Sequence, residues 1–137
     1  MGEIFRSESV AMTEEYGRRL AEELHSGSVV AFFGGMGMGK TAMVRGIAAG
    51  LGLDAEVSSP TFALVHDYGG QPPLIHFDMY RVSGWEDLYS TGYFDYLDEG
   101  CILVVEWSEN IASALPEDAI CIRIQQESDS VRLIERG

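Results

Sequence analysis

The sequence is almost without lysine. Among 137 residues there is one, Lys40, beside eight arginines and twenty-two acids, for a formal net charge of −13. A body this acidic repels polyanions over the range of a Debye length. Direct, strong nucleic-acid binding, which draws mainly on Lys and Arg at phosphates, is not expected of the chain itself. Cysteine is also scarce: Cys101 and Cys121 each sit in an apolar, strand-like run and read as small buried core residues. The absence of a His/Cys cluster with zinc spacing excludes a structural zinc. No apolar run approaches the length of a membrane span, so no membrane partner is expected. The opening MGEIFRSESV lacks the basic start and apolar stretch of a signal peptide, which points to the cytoplasm. There are no repeats, no low-complexity segment and no obvious linker.

Hydrophobic residues make up 46% of the chain, enough for one domain, residues 1–137, with a real core. Ile4 and Phe5 open a short edge strand. Met12, Tyr16, Leu20 and Leu24 recur at four-residue steps, predicting a helix over Ser9 to Leu24 with Ser9 or Thr13 as N-cap. Ser28 to Phe33 (SVVAFF) and Cys101 to Trp107 (CILVVEW) read as strands buried on both faces. Lys40 to Leu51 is helical, with Met43, Ile47 and Leu51 on one face. Phe62 to Tyr68 and Leu74 to Met79 read as strands around a turn at Gly69 to Pro73, and Ser58 to Pro60 as a loop. Short helical pieces are expected at Trp85 to Tyr89, Tyr93 to Leu97 and Ile111 to Leu115. Ala119 to Gln125 and Ser130 to Glu135 form a terminal hairpin. Strands alternating with helices argue for a mainly parallel α/β sheet.

The single lysine has a context. Gly34 to Thr41 (GGMGMGKT) fits G-x-x-x-x-G-K-[ST], with an apolar strand before it and a helix after it. Glycines let backbone amides turn inward around phosphate oxygens, and a helix N-terminus adds unpaired N–H donors and partial positive charge. In this pattern Lys40 reaches the β- and γ-phosphates and the Thr41 hydroxyl coordinates Mg²⁺. The fold expected is a P-loop NTPase-like three-layer sandwich with a mainly parallel sheet and a C-terminal antiparallel hairpin. Magnesium needs carboxylates at neighbouring strand ends. Asp78 closes Leu74 to Phe77, and Glu106 closes Ile102 to Val105. Each is suited to hold Mg²⁺ or polarise an attacking water; each also fits a helix cap or a salt bridge with Arg81. Thr61 lies roughly 20 residues beyond the loop, where many P-loop proteins keep a γ-phosphate sensor; a plain turn is the alternative. His66 and His76 read as strand residues rather than ligands. Trp107 fits either the core or the site mouth.

Asp67 to Gly70 (DYGG) matches a GTPase D-x-x-G signature, but no second lysine exists to build an N-K-x-D guanine loop. A small-molecule kinase brings clustered arginines and a lid, and here Arg45, Arg81, Arg123, Arg132 and Arg136 are scattered. What remains is a minimal ATP-binding module acting on a partner.

The stretches Gly34 to Thr41, Val44-Arg45-Gly46, Ser58 to Phe62 (SSPTF), His76 to Arg81 (HFDMYR) and Val105-Glu106-Trp107, in this order and spacing, resemble the TsaE (YjeE) family over nearly the whole chain. The resemblance implies a Mg²⁺-dependent ATPase of tRNA threonylcarbamoyladenosine synthesis, slow alone, working on a TsaB–TsaD complex and meeting tRNA only through those partners. It implies that Met36, Gly37, Met38, Gly39, Lys40 and Thr41 wrap the ATP phosphates, and that Thr41 and Glu106 hold Mg²⁺. Asp78 would be the second acid at the γ-phosphate, Thr61 part of a switch-like loop, and Trp107 near the nucleotide. Val10 to Thr13 would pass the adenine. A nucleotide-gated binding module, in which ATP binding rather than hydrolysis is the signal, is the alternative, and a small-molecule kinase is a distant one. The chain departs from the family at Gly35, where an acidic or amide residue is usual. Ala42 stands in place of a common Thr, and Ser128-Asp129-Ser130 where relatives often carry Arg.

Overall fold

The computed structural model describes residues 3–33, 39–53 and 65–137. In chain order the elements are β1 (Glu3–Ser7), α1 (Val10–Ala21), β2 (Val29–Phe33), α2 (Lys40–Gly50), β3 (Val65–Gly70) and β4 (Pro73–Asp78). They continue with α3 (Trp85–Ser90), α4 (Tyr93–Asp98), β5 (Ile102–Glu106), a 3-10 helix (Ser108–Ala114), β6 (Ile120–Gln126) and β7 (Arg132–Arg136). The strands form one sheet in the order β1-β7-β6-β2-β5-β4-β3. Its middle, β6-β2-β5-β4, is parallel. The terminal hairpin β6-β7 is antiparallel as expected, and β1 on β7 and β3 on β4 add antiparallel pairings at both edges.

Period-two alternation divides the core. Val30, Phe32, Leu74, Ile102, Val104, Ile122 and Ile134 face α1 and α2. Val29, Ile75, Phe77, Leu103 and Val105 face α3, α4 and the 3-10 helix. Because both faces of β2 and β5 are covered, their sequences read as continuous apolar runs. The two buried layers make the three-layer sandwich. Cys101 is buried, but Cys121 is only half-buried, which corrects the expectation of two core cysteines. On β6, Ile122 and Ile124 fill the α1/α2 side, while Cys121 and Arg123 lie on the opposite side, where the chain supplies less cover.

Ser9 caps α1, its hydroxyl accepting from Met12 N at 3.1 Å. The helix stops at Ala21, and Leu24 still packs on the core from the following turn. α1 and α2 pack through glycines. A Cβ at Gly17 would sit 2.2 Å from Met43 O, and one at Gly46 2.0 Å from Glu14 O. This close approach fixes where α2, and the lysine at its first position, stand against the sheet.

Candidate functional site

α2 is the next described element after β2, and the strand-end acids of β4 and β5 act on the lysine at its N-terminus. Gly39 precedes α2 with φ 91°, a left-handed conformation that glycine adopts without the Cβ penalty. Lys40 opens the helix and is buried, 1% exposed. Burial pushes its pKa below the ordinary lysine value, while Glu106, Glu109 and Asp78, in that order, pull it back up. The ammonium is therefore held among three carboxylates with desolvation dominant. Thr41 follows, half-buried.

The two acids named from sequence are brought together. β4 and β5 are parallel with Asp78 in register with Glu106. Leu74, His76 and Asp78 share one face of β4, the α2 side, because a strand alternates with period two. Asp78 accepts from Tyr80 N through Oδ1 at 2.9 Å. Burial raises its pKa above the usual aspartate value; the Tyr80 amide opposes this, and the Glu106 charge adds to it. Arg81 is exposed and takes part in none of the ion pairs among the described residues, so the salt-bridge reading of Asp78 is not what the fold uses.

Glu106 is buried and bonded through Oε2 to His76 Nε2 at 2.7 Å. His76 is a strand residue, as expected, but its partner was missed. The available signal was spacing: His76 lies two positions before Asp78 and therefore on the same face.

Trp107 carries φ 60° and ψ 42°, a conformation costing a non-glycine residue roughly 1–2 kcal/mol. The kink ends β5, and the half-buried indole packs against the α3/α4-side core while also lying beside Lys40, so it meets both of its sequence readings. The ring centroid lies 5.8 Å from Lys40 Nζ and 4.9 Å from the Tyr80 ring. Asn110 donates to Met79 O at 2.9 Å and Tyr80 O at 3.2 Å, holding that turn closed.

On the other side of Gly39 opens a cavity of about 330 Å³. Ser9, Val10, Thr13, Ala42, Asp129, Ser130 and Arg132 line it with Gly39. Val10 is 63% exposed, and Thr13 is buried with its hydroxyl 2.7 Å from the Ser7 hydroxyl. Thr13 thus offers a methyl wall rather than a polar contact. Arg132, taken from the sequence only as one of several scattered arginines, folds back onto Ser128 O at 3.0 Å and Asp129 O and Val131 O at 3.3 Å. Met36, Gly37, Met38 and Thr61 lie outside the described residues, as do Gly34, Gly35 and Ser58 to Pro60. The D-x-x-G match falls in the β3-β4 hairpin, where Asp67 accepts from Gly69 N at 2.8 Å, a turn rather than a guanine-nucleotide switch.

Two carboxylates and a hydroxyl are hard oxygen donors of the kind Mg²⁺ takes. Among the described residues no group of three or more His, Cys, Asp or Glu is placed to cage a metal. A hard cation completed by phosphate and water fits such a donor set better than a dedicated protein cage. No helix among the described residues is long and apolar enough to cross a membrane.

A mixed sheet parallel in its middle, helices on both faces and a lysine at a helix N-terminus beside two strand-end acids define an α/β three-layer sandwich. A family described as "Threonylcarbamoyl adenosine biosynthesis protein TsaE" matches residues 7–134. The chain belongs to the TsaE family. It is 38% identical to the tRNA threonylcarbamoyladenosine biosynthesis protein TsaE of Treponema pallidum, over 93% of this chain and 95% of that protein. It is 42% identical to the Streptomyces coelicolor protein of the same name, over 82% and 78%. The crystal structure of Bacillus subtilus YdiB superposes with a TM-score of 0.78 at 27% identity, covering 99% of this chain and 84% of that one.

Proposed function

We propose that this TsaE-family chain binds ATP with Mg²⁺ and hydrolyses it slowly in the service of tRNA threonylcarbamoyladenosine synthesis. It acts in the cytoplasm on a TsaB–TsaD-like complex and reaches tRNA only through those partners. The observation that carries this reading is the buried Lys40 at the α2 N-terminus, facing the in-register acids Asp78 and Glu106. In a molecule of net charge −13 a triphosphate needs a local positive field, and this lysine and the adjoining helix amides supply one.

The roles divide by environment. Lys40 and the amides of Met36 to Thr41 bind the phosphates. Thr41 and Glu106 hold the metal, which when bound neutralises phosphate charge. Asp78, its proton affinity raised and its Oδ1 occupied by Tyr80 N, presents Oδ2 to take a proton from the attacking water. Thr61 belongs to a switch-like loop, and the cavity at Val10, Thr13 and Arg132 takes the base and ribose.

The test uses Trp107 as reporter in a Trp85→Phe chain, since those are the two tryptophans. Titration with ATP and Mg²⁺ is expected to change its emission. Lys40→Ala and Glu106→Ala are each expected to weaken that response about 10–100-fold, the range for loss of a charge-assisted or metal contact. Unchanged affinity in both variants would overturn the site.

A further inference from the structure

The bond between Glu106 and His76 continues to the sheet edge. His76 is fully buried, and Tyr68 and His66 are half-buried on β3. The Tyr68 hydroxyl lies 3.3 Å from His76 Nδ1 and 3.3 Å from His66 Nδ1. The Tyr68 and His76 rings are 6.0 Å apart and tilted by 35°. A carboxylate accepts hydrogen bonds, so the nitrogen 2.7 Å from Glu106 Oε2 carries the hydrogen. With Nε2–H as donor, the neutral ring has Nδ1 as acceptor, and the Tyr68 O–H donates to it. The oxygen of Tyr68 then accepts from His66 Nδ1–H. In this arrangement every donor meets an acceptor, and outer-shell bonds of this kind fix both the tautomer and the orientation of a ligating group.

We propose that His76 is a positioning residue for the Glu106 carboxylate, and that Tyr68, donating to Nδ1, supports the imidazole tautomer that Glu106 selects. Glu106 Oε2 is fixed by His76, which aims the rest of the carboxylate toward the Lys40 side of the site. The edge strand β3 thereby takes part in shaping a metal site two strands away. This rests on the reading of Glu106 as a Mg²⁺ ligand, and two independent measurements separate the two.

The first is ¹⁵N NMR of the histidine rings in the nucleotide-free protein. His76 is expected as the Nε2–H tautomer with a hydrogen-bonded Nδ1, and Tyr68→Phe is expected to shift the Nδ1 signal toward that of a free acceptor. A His76 ring with its hydrogen on Nδ1, or a spectrum that ignores Tyr68→Phe, overturns the proposal. The second is Mn²⁺ affinity in the presence of ATP, read by electron paramagnetic resonance. His76→Phe removes the donor and is expected to weaken Mn²⁺ about 10–100-fold. His76→Gln keeps an N–H at the Nε2 position and is expected to recover most of that loss. Equal losses in the two variants mean that His76 only fills space, and the proposal fails. If the parent chain takes up no Mn²⁺ with ATP, the nucleotide reading fails instead, and the spectrum alone decides the tautomer.

Discussion

Lys40 is a charged side chain held where charge is costly. Its folded pKa lies below the ordinary value, so the folded protein binds that proton less tightly than the unfolded chain does. The penalty is fully present below the folded value and is relieved as pH rises toward the unfolded value. At neutral pH, therefore, Lys40→Met is expected to raise the melting temperature of the nucleotide-free protein by a few degrees while weakening ATP binding. A scanning-calorimetry midpoint that falls instead would contradict the account. Asp78 has the opposite sign of shift and the same kind of consequence. Its raised folded pKa means the ionised form costs stability above that value, and the cost disappears as pH falls through it. Asp78→Asn keeps the acceptor for Tyr80 N and drops the charge repelled by Glu106. It is expected to raise the melting temperature at neutral pH, and a midpoint that falls would contradict the account. ATP binding should survive and hydrolysis should stop. Persistence of threonylcarbamoylated tRNA in cells carrying that variant would favour ATP binding alone as the signal.

At the scale of elements, the α1-α2 pair decides where the lysine stands. Gly46 has no room for a Cβ, because Glu14 O occupies its place. Gly46→Ala gains up to about 1 kcal/mol of helix propensity. It must also push two backbones apart, an overpacking cost of about 1–3 kcal/mol. Packing wins, so a lower urea midpoint is expected, accompanied by weaker nucleotide affinity because α2 carries Lys40. A midpoint equal to or above that of the parent would show that the helices part without cost. The same contact explains why Val44-Arg45-Gly46 stands out among the family-like stretches: the glycine serves helix approach, and Arg45 pairs with Glu14 across it.

The whole molecule is anionic, and most of its arginines are already engaged. Arg6 pairs with Glu127, Arg18 and Arg19 with Glu15, Arg45 with Glu14, and Arg136 with Glu23. Arg132 is bonded to carbonyls of its own hairpin, and Arg123 lies over the Phe33 ring. No basic face remains among the described residues for a nucleic-acid backbone. The purified chain is expected to leave tRNA mobility unchanged in a gel at about 0.1 M salt, where the Debye length is still about 10 Å. Tight retardation that falls steeply with salt would show direct phosphate contacts and remove the reason for an intermediary.

The sequence by itself determined the features that are local in the chain. The two apolar strands, the helix that Lys40 opens, and the acids ending β4 and β5 are each written in consecutive residues, where periodicity and strand length act. The tertiary structure alone decided which distant groups meet. Asp78 and Glu106 come into register because parallel crossovers place β4 beside β5. His76 finds Glu106 thirty positions away. Trp107 turns toward Lys40 through a left-handed residue that no propensity favours. Gly17 and Gly46 are required by a neighbour's carbonyl rather than by a turn. These follow from packing between elements, and a one-dimensional pattern carries each element's face but not the partner it will face.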